Sequence, residues 1–255
     1  MRFGLCLSGE DALKGSECGA DYTEINAAKL LGMSGDEFSR YKEYVKTGRI
    51  ITYSCNGLVA PEVRLTGDVD YKRVREYSEK LFYLLAELGV TMLVFGSGAA
   101  KRVPDGFPME KAWEQLFEVG VIFSETASGY GQTIAVEALR RKEVNIVNTV
   151  EEAAYYAETV NRANFRILAD FYHMDQNNES LSVLEKYADR LAHVHIANRE
   201  RKMTGDADRE YVRERIGVLN KIGYNGGVSF EGELTKDFSG VKEMLDFYRV
   251  CADRL

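Results

Sequence analysis

This sequence repeats one unit, an apolar strand followed by an amphipathic helix. The unit recurs about eight times, with roughly 32 residues in each copy. Apolar runs rich in β-branched and aromatic side chains predict strands over residues 2–7, 21–25, 50–55, 91–95, 132–137, 166–171, 191–197 and 227–231. Strands that alternate with helices are expected to pair in parallel through right-handed crossovers.

Eight similar units favour closure into a (β/α)8 barrel, the TIM barrel of the α/β class. Helices are predicted over residues 35–46, 70–88, 150–162, 178–189 and 207–222, and further helices begin near residues 109 and 239. An open doubly wound sheet is the alternative, but no Gly-x-Gly-x-x-Gly follows the first strand. Neither a low-complexity linker nor a shift in composition divides the chain, so we expect a single barrel domain over residues 1–255.

The net charge and the apolar runs of the chain indicate which kinds of partner it is not expected to bind. The chain carries 33 Lys and Arg against 40 Asp and Glu, which gives a formal net charge of −7. Binding to nucleic acid usually requires a basic face, so no nucleic-acid partner is expected. No apolar run reaches the ~18–20 residues of a membrane-spanning helix, so no membrane partner is expected either. The four cysteines show no paired spacing, which favours reduced thiols in a cytoplasmic protein.

Four consecutive predicted strands end in a carboxylate or an imidazole. These residues are Glu137, Asp170, His195 and Glu231, about one strand–helix unit apart. The active site of such a barrel lies at the carboxyl ends of its strands, so the four side chains should surround one mouth. Three carboxylates and an imidazole suit a divalent cation such as Mn²⁺, Mg²⁺ or Co²⁺ better than they suit a thiolate-type zinc site.

Each of these residues also has an ordinary structural interpretation. A carboxylate at a strand end often caps the next helix, and a lone histidine is often a hydrogen-bonded core residue. Four such coincidences on adjacent strands are much less expected than one, and a cation explains why mutually repelling carboxylates cluster. His193 faces the same way as His195 but one layer deeper, which predicts a core or supporting role.

Short motifs accompany these strand ends. They are Phe-Gly-Ser-Gly at 95–98, Val-Glu-Ala-Leu at 136–139, Asn-Thr at 148–149, Asp-x-x-His at 170–173, His-x-His at 193–195, Arg201 and Phe-Glu at 230–231. Together they resemble the xylose isomerase-like superfamily of sugar (phosphate) isomerases and epimerases, and within it the D-tagatose 3-epimerase-type ketose epimerases. The resemblance runs from about residue 95 to the C-terminus. The first 90 residues keep the barrel rhythm and a Gly-Ala-Asp-Tyr-Thr-Glu start of strand two.

The resemblance implies a role for each residue of the mouth. Glu137, Asp170, His195 and Glu231 would bind the divalent metal ion (Mn, Co or Mg), and Glu137 and Glu231 would also form the catalytic acid/base pair. Three further residues, Glu143, His173 and Arg201, would contact a small sugar substrate near its reacting carbonyl. A homodimer or homotetramer is implied in the same way.

The implied activity is that of a metal-dependent epimerase or isomerase acting on a ketose or sugar phosphate through a cis-enediolate. Removal of a proton beside the carbonyl and its return on the other face is epimerisation, whereas return at the neighbouring carbon is aldose–ketose isomerisation. A polyol or sugar-acid dehydratase on the same metal site and a non-catalytic sugar-binding barrel are the alternatives. A metal nuclease on the same barrel is disfavoured by the negative charge and by the presence of only three histidines.

Arg199 and Lys202 are candidates for binding a phosphate group, so the sequence does not decide between a free and a phosphorylated sugar. They lie in the loop after the seventh predicted strand, near the place where barrels of this class often bind phosphate. A solvated basic loop explains them equally well.

Overall fold

The computed structural model describes residues 1–253, in which eight parallel strands close into one barrel in chain order. Their bounds are β1 Arg2–Cys6, β2 Tyr22–Asn26, β3 Thr52–Asn56, β4 Met92–Phe95, β5 Thr133–Glu137, β6 Phe165–Asp170, β7 Leu191–Ile196 and β8 Gly227–Phe230. The ring closes where β1 pairs with β8 and Phe3 lies opposite Val228. The predicted TIM barrel is confirmed. Residues 254 and 255 lie outside the described residues, so a domain spanning all of residues 1–255 stays a prediction.

Helices lie between successive strands of the chain, and a last helix follows β8. Their bounds are α1 Ala12–Glu17, α2 Ala27–Leu30, α3 Gly35–Lys46, α4 Tyr71–Glu87, α5 Gly98–Lys101, α6 Met109–Ser128, α7 Val150–Val160, α8 Phe171–Gln176, α9 Val183–Lys186, α10 Arg209–Lys221 and α11 Val241–Ala252. Single 3₁₀ turns cover Gly9–Asp11, Ala188–Arg190 and Asp206–Asp208. Within residues 1–253, no helix combines the length and the apolar character needed to cross a membrane.

Side-chain caps determine where several of the longer helices begin. Ser34 forms a capping box with Glu37 at the start of α3. Asp70 accepts a hydrogen bond of 3.0 Å from the backbone N–H of Arg73 at the start of α4, and Thr149 caps α7 in the same manner. Such caps contribute about 1 kcal/mol each. The predictions for α3 and α4 are confirmed to within one residue at each end.

The helix predicted over residues 178–189 is wrong. The chain becomes helical immediately after β6, because Asp170 Oδ1 accepts hydrogen bonds from the N–H groups of Tyr172 at 2.7 Å and His173 at 3.2 Å. This capped helix, α8, ends at Gln176, and Asn178 then takes a left-handed conformation with φ of 55°. Beyond that turn the chain forms only the short α9 and one 3₁₀ turn before β7.

The inside of the barrel changes from apolar to polar towards the carboxyl ends of the strands. Met92, Val94, Ala135 and Leu168 form a small buried apolar cluster, separate from the main core under the helices. Alternate residues of a strand share a face, so the side chains two positions further along β5 and β6 also point inward. The apolar cluster therefore forms a floor beneath the ends of these two strands.

Candidate active site

The four strand-end residues predicted from the sequence come together at the mouth of the barrel. Glu137 ends β5, Asp170 ends β6, His195 lies next to last in β7, and Glu231 directly follows β8. Each offers one oxygen or nitrogen atom, and these four atoms lie within 4.8 Å of one another. His195 Nδ1 is the centre of the group, 3.4 Å from Glu137 Oε1 and 3.4 Å from Glu231 Oε2. Residues far apart in sequence thus share one small volume.

The atoms that face this volume have the character of metal ligands. Glu137 Oε1, Asp170 Oδ2 and His195 Nδ1 are buried, and none makes a hydrogen bond to any residue within 1–253. A buried polar atom without a partner destabilises a fold by about 1–3 kcal/mol. Three carboxylates and one imidazole form a donor set that hard and intermediate divalent cations accept. These residues therefore fit a divalent cation.

Asp170 acts both as a helix cap and as a candidate metal ligand. Its Oδ1 caps α8, whereas its Oδ2 faces the cluster, 3.8 Å from His195 Nδ1. Because the cap holds one oxygen in place, the direction of the other is fixed as well. The same side chain therefore starts a helix and completes the candidate metal site.

Glu24, at the centre of β2, is a residue of the site that sequence reasoning missed. Its Oε1 lies 2.8 Å from His195 Nε2, and its Oε2 lies 2.8 Å from His193 Nε2. The hydroxyls of Ser54 and Ser229 also donate to Oε2, at 2.7 and 2.8 Å. The bond to Glu24 keeps a proton on Nε2 of His195, so Nδ1 is the ring nitrogen that faces the cluster and could bind a cation. His193 occupies the supporting layer predicted for it.

The environment of Glu24 keeps this carboxyl ionised. The side chain is fully buried. Burial alone would raise its pKa, but His195 and His193 outweigh that effect and hold the pKa of Glu24 well below its ordinary value. A charged carboxylate is the stronger hydrogen-bond acceptor, so it holds both imidazoles firmly.

The carboxyls of Glu137 and Glu231 lie in different electrostatic surroundings. Burial raises the pKa of Glu137, and the nearby Glu231 adds to the rise, although His195 opposes it. Burial acts in the same direction on Glu231, but His195 and Arg201 outweigh it and lower the pKa of that carboxyl. His195 has the larger lowering effect on the pKa of Glu231, and Arg201, which forms an ion pair with Glu231, adds to it.

Glu137 is held by two features of the segment that follows β4. A Cβ atom on Gly96 would lie 2.1 Å from Glu137 Oε2, so only glycine leaves room for this carboxylate. The buried Lys101 donates from Nζ to the backbone carbonyl of Glu137 at 2.9 Å, and burial lowers the pKa of Lys101 to about 8. The glycine of the Phe-Gly-Ser-Gly motif therefore makes room for the Glu137 carboxylate. Lys101 is a second residue of the site that sequence reasoning missed.

His173 points a hydrogen-bond donor at the cluster. Its Nδ1 accepts the backbone N–H of Arg140 at 3.3 Å, which places the ring proton on Nε2. That Nε2 atom lies 3.8 Å from Glu137 Oε1 and 3.7 Å from Asp170 Oδ2, and it is buried without a hydrogen bond in the described part of the chain. A donor held ready in this way suits an oxygen of a bound substrate.

Arg201 and Glu143 lie together at the rim of the mouth. Arg201 donates from Nη2 to Glu231 Oε2 at 2.6 Å, and its Nη1 lies 3.7 Å from Glu143 Oε1. Glu143 also accepts a hydrogen bond from Arg140 Nε at 2.7 Å. The ring of Tyr172 supports the guanidinium of Arg201 at 5.2 Å. All three residues predicted to contact substrate therefore surround one opening, with the metal-type cluster at its base.

Comparison with known proteins identifies the family of the chain. Residues 13–251 match the family described as xylose isomerase-like TIM barrel. The 3-dehydro-D-guloside 4-epimerase of Escherichia coli K12 is 25% identical over 250 residues, covering 92% of this chain and 91% of that protein. The ketose 3-epimerase of Arthrobacter globiformis is 34% identical over 109 residues, covering 42% of this chain and 37% of that protein. D-psicose 3-epimerase with D-tagatose from Clostridium cellulolyticum H10 shares the fold, with a TM-score of 0.84, 20% identity and 99% coverage of both chains.

Proposed function

The chain belongs to the xylose isomerase-like TIM barrel family, and on this basis we propose that it is a metal-dependent sugar epimerase or isomerase. The observation that carries the proposal is the convergence of Glu137, Asp170, His195 and Glu231 at atoms that are mostly buried and unpaired. His173 and Arg201 beside this cluster supply donors suited to the oxygens of a sugar.

The four clustered side chains would hold one divalent cation, Mn²⁺, Co²⁺ or Mg²⁺. When bound, such a cation supplies Lewis acidity towards the carbonyl and hydroxyl oxygens of a sugar. Asp170 and His195 serve only as ligands in this proposal, because Asp170 is committed to its helix cap and His195 to Glu24. Glu137 and Glu231 are the two ligands left for a second role.

Glu137 and Glu231 move the proton. They approach the cluster from β5 and β8, and each lies 3.4 Å from the same His195 Nδ1. One carboxylate takes the proton from the carbon beside the carbonyl, which gives a cis-enediolate, and the other returns a proton. His173 donates from Nε2 to the oxygen that gains negative charge, and Arg201 stabilises the same charge from the rim.

The substrate we propose is a small ketose or a related keto sugar. The relatives described above are named as epimerases of a ketose and of a 3-dehydroguloside, which both carry a carbonyl beside the inverted carbon. Lys202 binds Glu200 at 3.0 Å, and Arg199 lies 3.8 Å from Asp175. Because Arg199 and Lys202 already face acids, an unphosphorylated sugar is favoured.

Removal of the metal tests this function. After treatment with a chelator and dialysis, we expect loss of all sugar conversion and a lower Tm, because three clustered carboxylates then repel one another. Mn²⁺ or Co²⁺ should restore both, and a cation at 100 times its Kd stabilises the fold by about 2.7 kcal/mol. Conversion is measured by chromatography on a panel of free ketoses, their phosphates and keto-glycosides, with Na⁺ of equal ionic strength as the control.

The same panel separates the other candidate activities. Conversion that survives exhaustive removal of metal would contradict the proposed metal dependence. Release of water from the sugar would instead identify a dehydratase on this site. Binding of a sugar without any product would identify a non-catalytic sugar-binding barrel.

A further inference from the structure

The two oxygens of the Glu231 carboxylate have different partners. Oε2 faces the cluster, because it lies 3.4 Å from His195 Nδ1, and it accepts the hydrogen bond from Arg201. Oε1 instead accepts a hydrogen bond of 3.1 Å from the side-chain amide of Asn56. Both ends of the carboxylate are therefore held, and its plane is fixed.

Asn56 reaches Glu231 from a distant part of the ring. It is the last residue of β3, and both β1 and β2 lie between β3 and β8. Asn56 and Glu231 are separated by 175 residues of sequence. A short side chain at a strand end that donates across two intervening strands makes a contact specific to the carboxyl ends of the barrel.

We propose that Asn56 is a positioning residue that holds Glu231 Oε1 in place for proton transfer while Oε2 faces the cluster. The inference rests on the proposed function, in which Glu231 is one of the two proton-transferring carboxylates. Oε2 directs its lone pairs to the cluster and to Arg201, so Oε1 is the oxygen left to exchange a proton with the sugar. An amide N–H is a suitable support because it donates without exchanging its own proton.

The inference predicts a loss concentrated in kcat. Without the amide donor the Glu231 carboxylate can rotate, and a misplacement of about 1 Å reduces the rate of chemistry by about 10²-fold. We expect Asn56→Leu, which keeps the size of the side chain, and Asn56→Asp, which keeps its shape, to lower kcat by about 10–100-fold with KM unchanged. The affinity for Mn²⁺, measured by calorimetry, should fall by about tenfold, the lower end of the effect of losing a support of a metal ligand.

Asn26→Asp is the matched control. Asn26 pairs with Asn56 across β2 and β3 and is also the last residue of its strand. Its side chain caps α2 by accepting from the N–H of Lys29 at 3.2 Å, a bond that aspartate also makes. The variant adds the same charge at the same rim without touching Glu231, so its kcat and its Mn²⁺ affinity should match those of the unmodified protein.

The outcomes distinguish this inference from the proposed function. An unmodified protein that converts no sugar of the panel would contradict the proposed function. An unmodified protein that converts a sugar, together with Asn56→Leu and Asn56→Asp variants of equal kcat and Mn²⁺ affinity, would overturn the role of Asn56 alone. The role of Asn56 would also be overturned if the variants lost activity only because less protein is folded, with a lowered Tm and an unchanged kcat per folded molecule. A fall in kcat at unchanged Tm, absent from Asn26→Asp, supports it.

Discussion

Glu231→Gln is expected to lower kcat at saturating Mn²⁺ by about 10²–10⁴-fold, the usual contribution of a positioned acid–base group. Glutamine fills the same space, and its single amide oxygen can accept a hydrogen bond from one of the two donors, Asn56 or Arg201, so the fold should persist. It cannot take up a proton at neutral pH, and proton transfer at that position should therefore stop. Glu137→Gln should show a loss of the same order. Kinetics on the sugar that the panel identifies, together with thermal denaturation, measure both effects.

Glu233→Gln is the control for this pair. Glu233 lies two residues beyond Glu231 in the same loop, but its side chain is exposed. Its backbone N–H donates to the carbonyl of Arg201 at 2.8 Å, a contact that the substitution leaves unchanged. The control should keep nearly full activity. If either Glu231→Gln or Glu137→Gln retained a near-normal rate, that residue would be removed from the acid–base role.

Glu24→Ala is expected to lower the affinity for Mn²⁺ by about 10–100-fold, although Glu24 is not one of the four clustered residues proposed to bind the cation. The substitution leaves the ring nitrogens of His195 and His193 without their shared acceptor, so the His195 ring is no longer held with Nδ1 facing the cluster. Breaking a buried charged pair by removing one partner destabilises a protein by about 3–5 kcal/mol. Calorimetric titration with Mn²⁺ and denaturation of the metal-free protein measure the two effects separately.

Ser54→Ala serves as the control for Glu24. It removes one donor to Glu24 Oε2 and leaves the contact between Glu24 Oε1 and His195 intact. Its affinity for Mn²⁺ should therefore remain close to that of the unmodified protein. A Glu24→Ala protein that binds Mn²⁺ as tightly as this control would show that His195 needs no support from β2.

The candidate ligands at the ends of β5 to β8 can be predicted because each one lies in a short, recognisable sequence pattern. An apolar run that ends in Glu, Asp or His is visible within six residues, and the regular spacing of the units places the ends at one edge. His173 and Arg201 follow from their offsets to these ends. The structure brings all of these side chains to one mouth, as the sequence predicts.

The supporting residues are not predictable in this way, because their partners are distant in sequence. Glu24 contacts His193 and His195 across 169 and 171 residues. A glutamate in the middle of a short strand carries no local sign that it is fully buried, and an asparagine at a strand end, such as Asn56, reads as a turn residue. Only closure of the barrel in a known register brings β2 and β3 opposite β7 and β8.

The wrong helix after β6 has a related cause. Residues 178–189 contain Leu181 and Leu184 at helical spacing, which suggests a helix there. Asp170 instead caps α8, which begins directly after β6 and takes up the first part of the connection between β6 and β7. The sequence pattern identifies Asp170 as a strand end and as a candidate ligand. Its simultaneous use as a cap depends on which of its two oxygens faces which group, and only the three-dimensional structure shows this.

Exchange with solvent would reveal transfer of a proton at the carbon beside the sugar carbonyl. The Mn²⁺-loaded protein is incubated in D₂O with the sugar that it converts, and product and remaining sugar are examined by NMR and mass spectrometry. We predict one deuterium at the carbon beside the carbonyl in the product of the unmodified protein, and a rate of product formation about 10²–10⁴-fold lower with Glu231→Gln. A product that forms without any deuterium from solvent would contradict proton transfer by Glu137 and Glu231.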